Sequence, residues 1–144
     1  MQKIQLKLTT PVIEMPIEAV DVSGLKDRFI VGFKRTPLDE TGILLEKADL
    51  LAKEAKEEEL HKLLKSQILY LKNVTILYEE NGKDKVLTIA DTRKETVVQD
   101  EEITLDFLLE LFLSWPSYTT ALIRAFYEVN LNTKLGQQAE IKNF

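Results

Sequence analysis

Apolar and polar residues alternate from Lys3 to Thr9, with Ile4, Leu6 and Leu8 on one side and Lys3, Gln5 and Lys7 on the other. That period of two predicts a half-buried strand over residues 3–9. Pro11 and Pro16 bracket VIEM and limit it to a short extended or edge piece. Ser23-Gly24 is a turn signal. RFIVGFKR, residues 28–35, is β-branched and aromatic, and places Phe29, Val31 and Phe33 on one strand face. The period then changes. In TPLDE, Thr36 can cap a helix, Pro37 suits the first helical position and Asp39 stands three residues after the cap. Leu44, Ala48, Leu51 and Ala55 follow at steps of three and four. After the polar KEEE of 56–59, Leu60, Leu64, Gln67 and Leu71 resume a stripe, out of phase with the first. The pattern predicts helix from about 37 to 69, as one bent helix or as two.

Val74–Glu79 and Lys85–Ala90 read as strands. Asn81-Gly82 between them tolerates positive φ, so a two-residue turn would pair Ile76 with Leu87 and Val74 with Ile89. Residues 91–102 read as a polar linker interrupted by Val97-Val98. Leu105, Leu108, Leu109 and Phe112 make one face of a helix over 104–114. Pro116 ends it, because a proline disfavours helical geometry at the residue before it. A second helix, capped by Ser114 or Ser117, carries Tyr118, Leu122, Ala125, Phe126 and Val129 to about residue 131. The expected fold is α+β: a small, mostly antiparallel sheet with a long central helix and a C-terminal helical pair. Residues 1–131 are expected to form a single domain, and the polar stretch 132–144 a flexible tail.

Composition narrows the function. The chain has 144 residues, enough for one core. It is 44% hydrophobic and 30% charged with a formal net charge of -5, which argues against a general phosphate-binding surface and hence against nucleic acid. It has no cysteine, so disulfides, thiolate metal sites and cysteine nucleophiles are excluded. The alternating N-terminus is unlike a signal peptide. The uncharged run 111–123 falls short of the roughly 20 residues of a membrane span. Together these point to a cytoplasmic protein with no membrane partner.

Catalytic chemistry finds little footing. His61 is the single histidine. Glu58-Glu59-Leu60-His61 has the Glu-x-x-His spacing of di-iron bundles, but such a site needs two such motifs and further carboxylates. A solvated helix residue explains His61 better, and no nucleophile-elbow signal accompanies it. Asp91, Glu95, Asp100, Glu101 and Glu102 lack the spacing of a calcium loop and read as a solvated acidic loop. No phosphate-cradling glycine pattern is present. The expectation is a non-enzyme without cofactor or metal.

The C-terminal helices instead carry apolar residues on two faces. Phe107, Leu111 and Leu113 lie off the main stripe of the first, and Ile123, Tyr127 and Leu131 off that of the second. A core hairpin explains one face; a partner protein or a second copy would cover the other. Trp115, Tyr118, Ile123 and Tyr127 are the candidate partner-binding residues, since aromatic anchors dominate interface energetics.

Four segments taken together, GFKRTPLDE, SQILYLKNVTILYEENGK, KVLTIADTRK and LLELFLSWPSYTTALIRAFYEVNLN, resemble the tail assembly chaperones of long-tailed bacteriophages and prophages. The resemblance covers roughly residues 28–132 and rests on packing patterns in a shared order. It implies a protein of the infected bacterial cytoplasm that binds the tape measure protein, a very long helical protein, and keeps it soluble until tail tube protein polymerises around it. It also implies self-association, and often a short and a frameshifted long form, of which this chain would be the short one. The alternative reading is a structural tail or head-completion subunit.

Overall fold

The computed structural model describes the backbone of residues 12–142 and the side chains of 12–131 apart from Leu38. The strand expected over 3–9 lies outside the described residues. Four strands, β1 (Val12–Val20), β2 (Lys26–Lys34), β3 (Ile68–Glu80) and β4 (Lys83–Asp91), form one sheet in the order β1-β2-β3-β4. Every neighbouring pair is antiparallel. The VIEM piece thus belongs to a full edge strand that accommodates Pro16 at the sheet margin, where a missing N–H breaks no ladder. The β3–β4 turn has Asn81 and Gly82 at φ 54° and 75°, and Val74 pairs with Ile89 and Ile76 with Leu87 as the two-residue turn requires.

The expected long central helix is two helices, α1 (Leu38–Lys53) and α2 (Glu57–Gln67). The capping box at Thr36 does not form. Pro37 occupies the cap position without a side-chain bond, and Thr36 is buried with its hydroxyl 3.4 Å from Gln67 Oε1. Packing against the end of α2 removes Thr36 from the cap. Nor does helix reach residue 69, because β3 begins directly at Ile68. Leu71 and Val74 are both 0% exposed although three positions apart, which a regular strand would place on opposite faces. Asn73, at φ 59°, turns the strand between them. Lys72 and Asn73 supply no periodic signal, so the helical stripe ending at Leu71 masks the strand.

The linker 91–102 contains a small hairpin, β5 (Val97–Val98) with β6 (Glu101–Glu102), turned by Gln99 and Asp100 at φ 52° and 65°. Two helices follow, α3 (Leu105–Leu113) and α4 (Pro116–Lys142). Thr104 caps α3 by accepting from the Phe107 N–H at 3.1 Å. The α4 backbone runs past residue 131, where the sequence pattern ends it; no proline intervenes there. All helices lie on one side of the sheet. Ile17, Phe29, Val31, Phe33, Leu71 and Val74 meet Ala48, Leu64, Leu108, Phe112, Leu122 and Phe126 in one core.

Candidate protein-binding groove

The Trp-Pro corner is built by backbone rather than by serine caps. The Trp115 carbonyl accepts from the Thr119 N–H at 2.9 Å, with Pro116 as the first residue of α4. Ser114 Oγ donates back to the Leu111 carbonyl, and Ser117 Oγ accepts from the Val20 N–H at 2.9 Å, tying the corner to the end of β1. Neither serine is free to cap. Thr119 Oγ1 donates to the carbonyls of Leu113 and Trp115, both at 3.0 Å, and locks α3 to α4.

The four candidate residues part company here. Tyr118 is 2% exposed and sits in an aromatic cluster with Phe29 (5.9 Å), Phe112 (4.7 Å) and Trp115 (5.0 Å between ring centroids). Its hydroxyl donates to Asp27 Oδ2 at 2.9 Å, at the start of β2. Tyr118 is therefore a core residue and presents no surface; its place on the main stripe of α4 already aims it at the sheet. Burial pushes its hydroxyl pKa well up, and burial also raises the carboxyl of Asp27. Tyr127 is half-buried and donates to Asp49 Oδ1 at 2.6 Å, holding α4 to α1, with its pKa pushed up to about 12 by burial. Trp115 is half-buried over Phe112 and Tyr118.

Ile123 has a different setting. It lines an open groove of about 470 Å³ with Leu51 and Ala55 of the α1 end, Leu60 and His61 of α2, and Leu113 of α3. A shallower extension of about 330 Å³ continues past His61 and Leu113 to Lys65 and Glu110. Lys65 bridges Asp106 (3.0 Å) and Glu110 (3.2 Å) and holds α2 against α3 beneath it. Glu57, His61, Ser114, Thr119 and Thr120 line it beside the apolar side chains, and polar residues dominate the extension, so the groove mixes apolar and polar walls, a form that receives an amphipathic helix. His61 is one wall of it, and among the described residues no group of carboxylates and histidine is arranged to hold a metal ion. Also among them, no helix is long and apolar enough to cross a membrane. Leu51, Ala55 and Leu60 were legible in the sequence only as helix stripe; their meeting depends on the bend between α1 and α2.

Segments that carry the resemblance also meet, on the opposite face of the sheet. Gly32 stands opposite Tyr70 across β2 and β3. The Tyr70 hydroxyl donates to Glu14 at 2.8 Å, Lys72 reaches the same carboxylate at 2.8 Å, and the Arg93 guanidinium lies 3.9 Å over the Tyr70 ring. Asp91 pairs with Arg93 at 2.6 Å, which holds its carboxyl down at about 2. This clasp ties strands β1, β2 and β3 to the end of β4. Comparisons with protein-family models, curated proteins and solved structures returned no match.

Proposed function

We propose that the chain is a tail assembly chaperone of a long-tailed bacteriophage or prophage. It binds the tape measure protein in the bacterial host cytoplasm and keeps it soluble until tail tube protein assembles around it. The carrying observation is the open groove between four helices, where Leu51, Ala55, Leu60, Leu113 and Ile123 stand beside polar side chains such as His61 and Thr120. It suits a long helical client, whose apolar face would be covered at roughly 25 cal/mol per Å² of apolar surface removed from water. The order of segments that resembles the chaperones supports the same reading. So do exposed apolar side chains elsewhere on the helices: Leu50 of α1 is 54% and Phe107 of α3 47% exposed. The chain turns over no substrate in this role.

Co-expression tests it. The long helical protein encoded beside this chain is produced with and without it, and the soluble fraction is compared. A client that aggregates alone and co-purifies as a soluble complex supports the proposal. Unchanged client solubility with no complex overturns it and directs attention to purified virions, where a structural tail or head-completion subunit would be found and a chaperone would not.

A further inference from the structure

The joint between α1 and α2 has unusual chemistry for a helix end. Ala55 has φ 55°, and the turn closes with Lys56 N–H on the Leu51 carbonyl (2.9 Å) and Ala55 N–H on the Ala52 carbonyl (3.2 Å). This is the bonding of a Schellman cap, in which the left-handed position normally holds glycine. Here it holds alanine, which is strained there and is the best helix former. The whole joint, AKEAKEEE at 52–59, consists of Ala, Lys and Glu. Every one of these residues is exposed, and the joint's one ion pair is local, Lys56 to Glu54 at 3.2 Å. Nothing in the joint's composition stops a helix, and no core contact holds the bend.

What holds it is the packing of the two arms. Thr41, Leu45, Ala48 and Leu51 bury one face of α1, and Leu60 and Leu64 one face of α2. On an unbroken helix at about 100° per residue, Leu51 and Leu60 would lie roughly half a turn apart. The chain must bend for both stripes to reach one core. It must also fold back, since Phe33 at the end of β2 pairs with Ile68 at the start of β3. An unbroken helix over 38–67, about 45 Å long, cannot join those two positions within one body. It can join them between two.

We propose that the partner fitted to this joint is a second copy of the chain, in a domain-swapped dimer. In it α1 and α2 run on as one helix, and β1-β2-α1 of each copy packs on α2-β3-β4-α3-α4 of the other. The half-turn offset of the stripes then becomes complementary: each arm faces a different body. Every core contact is reproduced, the strained alanine becomes an ordinary helical residue, and the cap bonds are replaced by helical ones. The inference stands on the joint alone and is independent of the client-binding reading.

The test uses the full chain, refolded at high concentration and sized by chromatography with light scattering. Ile30→Cys and Lys72→Cys, at paired positions of β2 and β3 in a chain without other cysteines, are joined by a short bis-maleimide. The expected result is a slowly exchanging dimer whose cross-links run between chains, beside a monomer whose cross-links run within the chain. Ala55→Gly favours the bend and penalises the helix at two joints per dimer, and is expected to lower the dimerisation constant roughly a hundredfold. A dimer with only intrachain cross-links, no dimer from the wild-type chain, or a dimer population untouched by Ala55→Gly overturns the proposal.

Discussion

Single side chains decide two local questions in this molecule. A Cβ at Gly32 would fall 2.5–2.6 Å from ring carbons of Tyr70, and that ring is held by Glu14 and Arg93. Gly32→Ala is therefore expected to destabilise by about 1–3 kcal/mol, the range for overpacking. Urea unfolding measures this, and truncation of Tyr70 in the same background should recover part of the loss as a coupled pair. Asp27 sets a pH dependence. Its folded-state pKa is raised by burial, against the hydrogen bond from Tyr118, which lowers it. Its contribution to stability is complete below the unfolded value and is lost as pH rises through the folded one. Asp27→Asn keeps an oxygen acceptor for the Tyr118 hydroxyl and removes the charge. It is expected to raise Tm at pH 7 and to flatten the dependence above pH 4; a lowered Tm at pH 7 would contradict this. Asp91 has the opposite sign. Held at about 2 by Arg93, it contributes above its unfolded value and loses that contribution as pH falls toward 2.

At the level of elements, propensity and packing disagree at the α1–α2 joint, and packing wins. Leu60 and Leu64 of α2 are both buried, and at about 1.5–3 kcal/mol each the pair outweighs the roughly 1–3 kcal/mol strain of one left-handed alanine. Ala55→Gly removes that strain and is expected to stabilise the monomer by about 0.5–1 kcal/mol in thermal unfolding. The β5–β6 turn repeats the situation. Gln99 and Asp100 both have positive φ where Asn-Gly would be usual, so Asp100→Gly should likewise stabilise, by a few tenths to about 1 kcal/mol. The α3–α4 corner shows the converse: Pro116 stops α3 by its own geometry, and the backbone of Trp115 completes the new helix without a side-chain cap.

For the whole molecule, burial separates residues that hold the fold from residues that can meet a partner. Ile123→Glu places a charge on the groove wall while leaving the main core face of α4 intact. It is expected to abolish co-purification with the client and leave Tm within a few degrees. Tyr118→Ala opens the aromatic cluster and is expected to lower stability by about 3–5 kcal/mol. Loss of client binding in Tyr118→Ala at temperatures where the chain remains folded, with Ile123→Glu binding normally, would move the binding surface to the Trp115 corner.

The sequence by itself determined the elements whose signals are local. The Asn81-Gly82 hairpin and its register followed from turn chemistry and alternation, α3 from its apolar stripe, and the Trp-Pro corner from the geometry of proline. The antiparallel α+β class followed from their order. Tertiary structure decided what depends on distant partners. Thr36 left its cap because α2 packs over it. The helical stripe continuing to Leu71 yielded to a strand because Gly32 and Phe33 pair with Tyr70 and Ile68. Tyr118 was aimed at the core by its place on the main stripe of α4, but that Ile123, off that stripe, lines a groove was decided by the neighbouring helices that close around it. The groove itself has no sequence motif: Leu51, Leu60, Leu113 and Ile123 lie on four helices and Ala55 in the joint between two of them, and the bend there that gathers them is one its own residues, all helix formers, do not ask for.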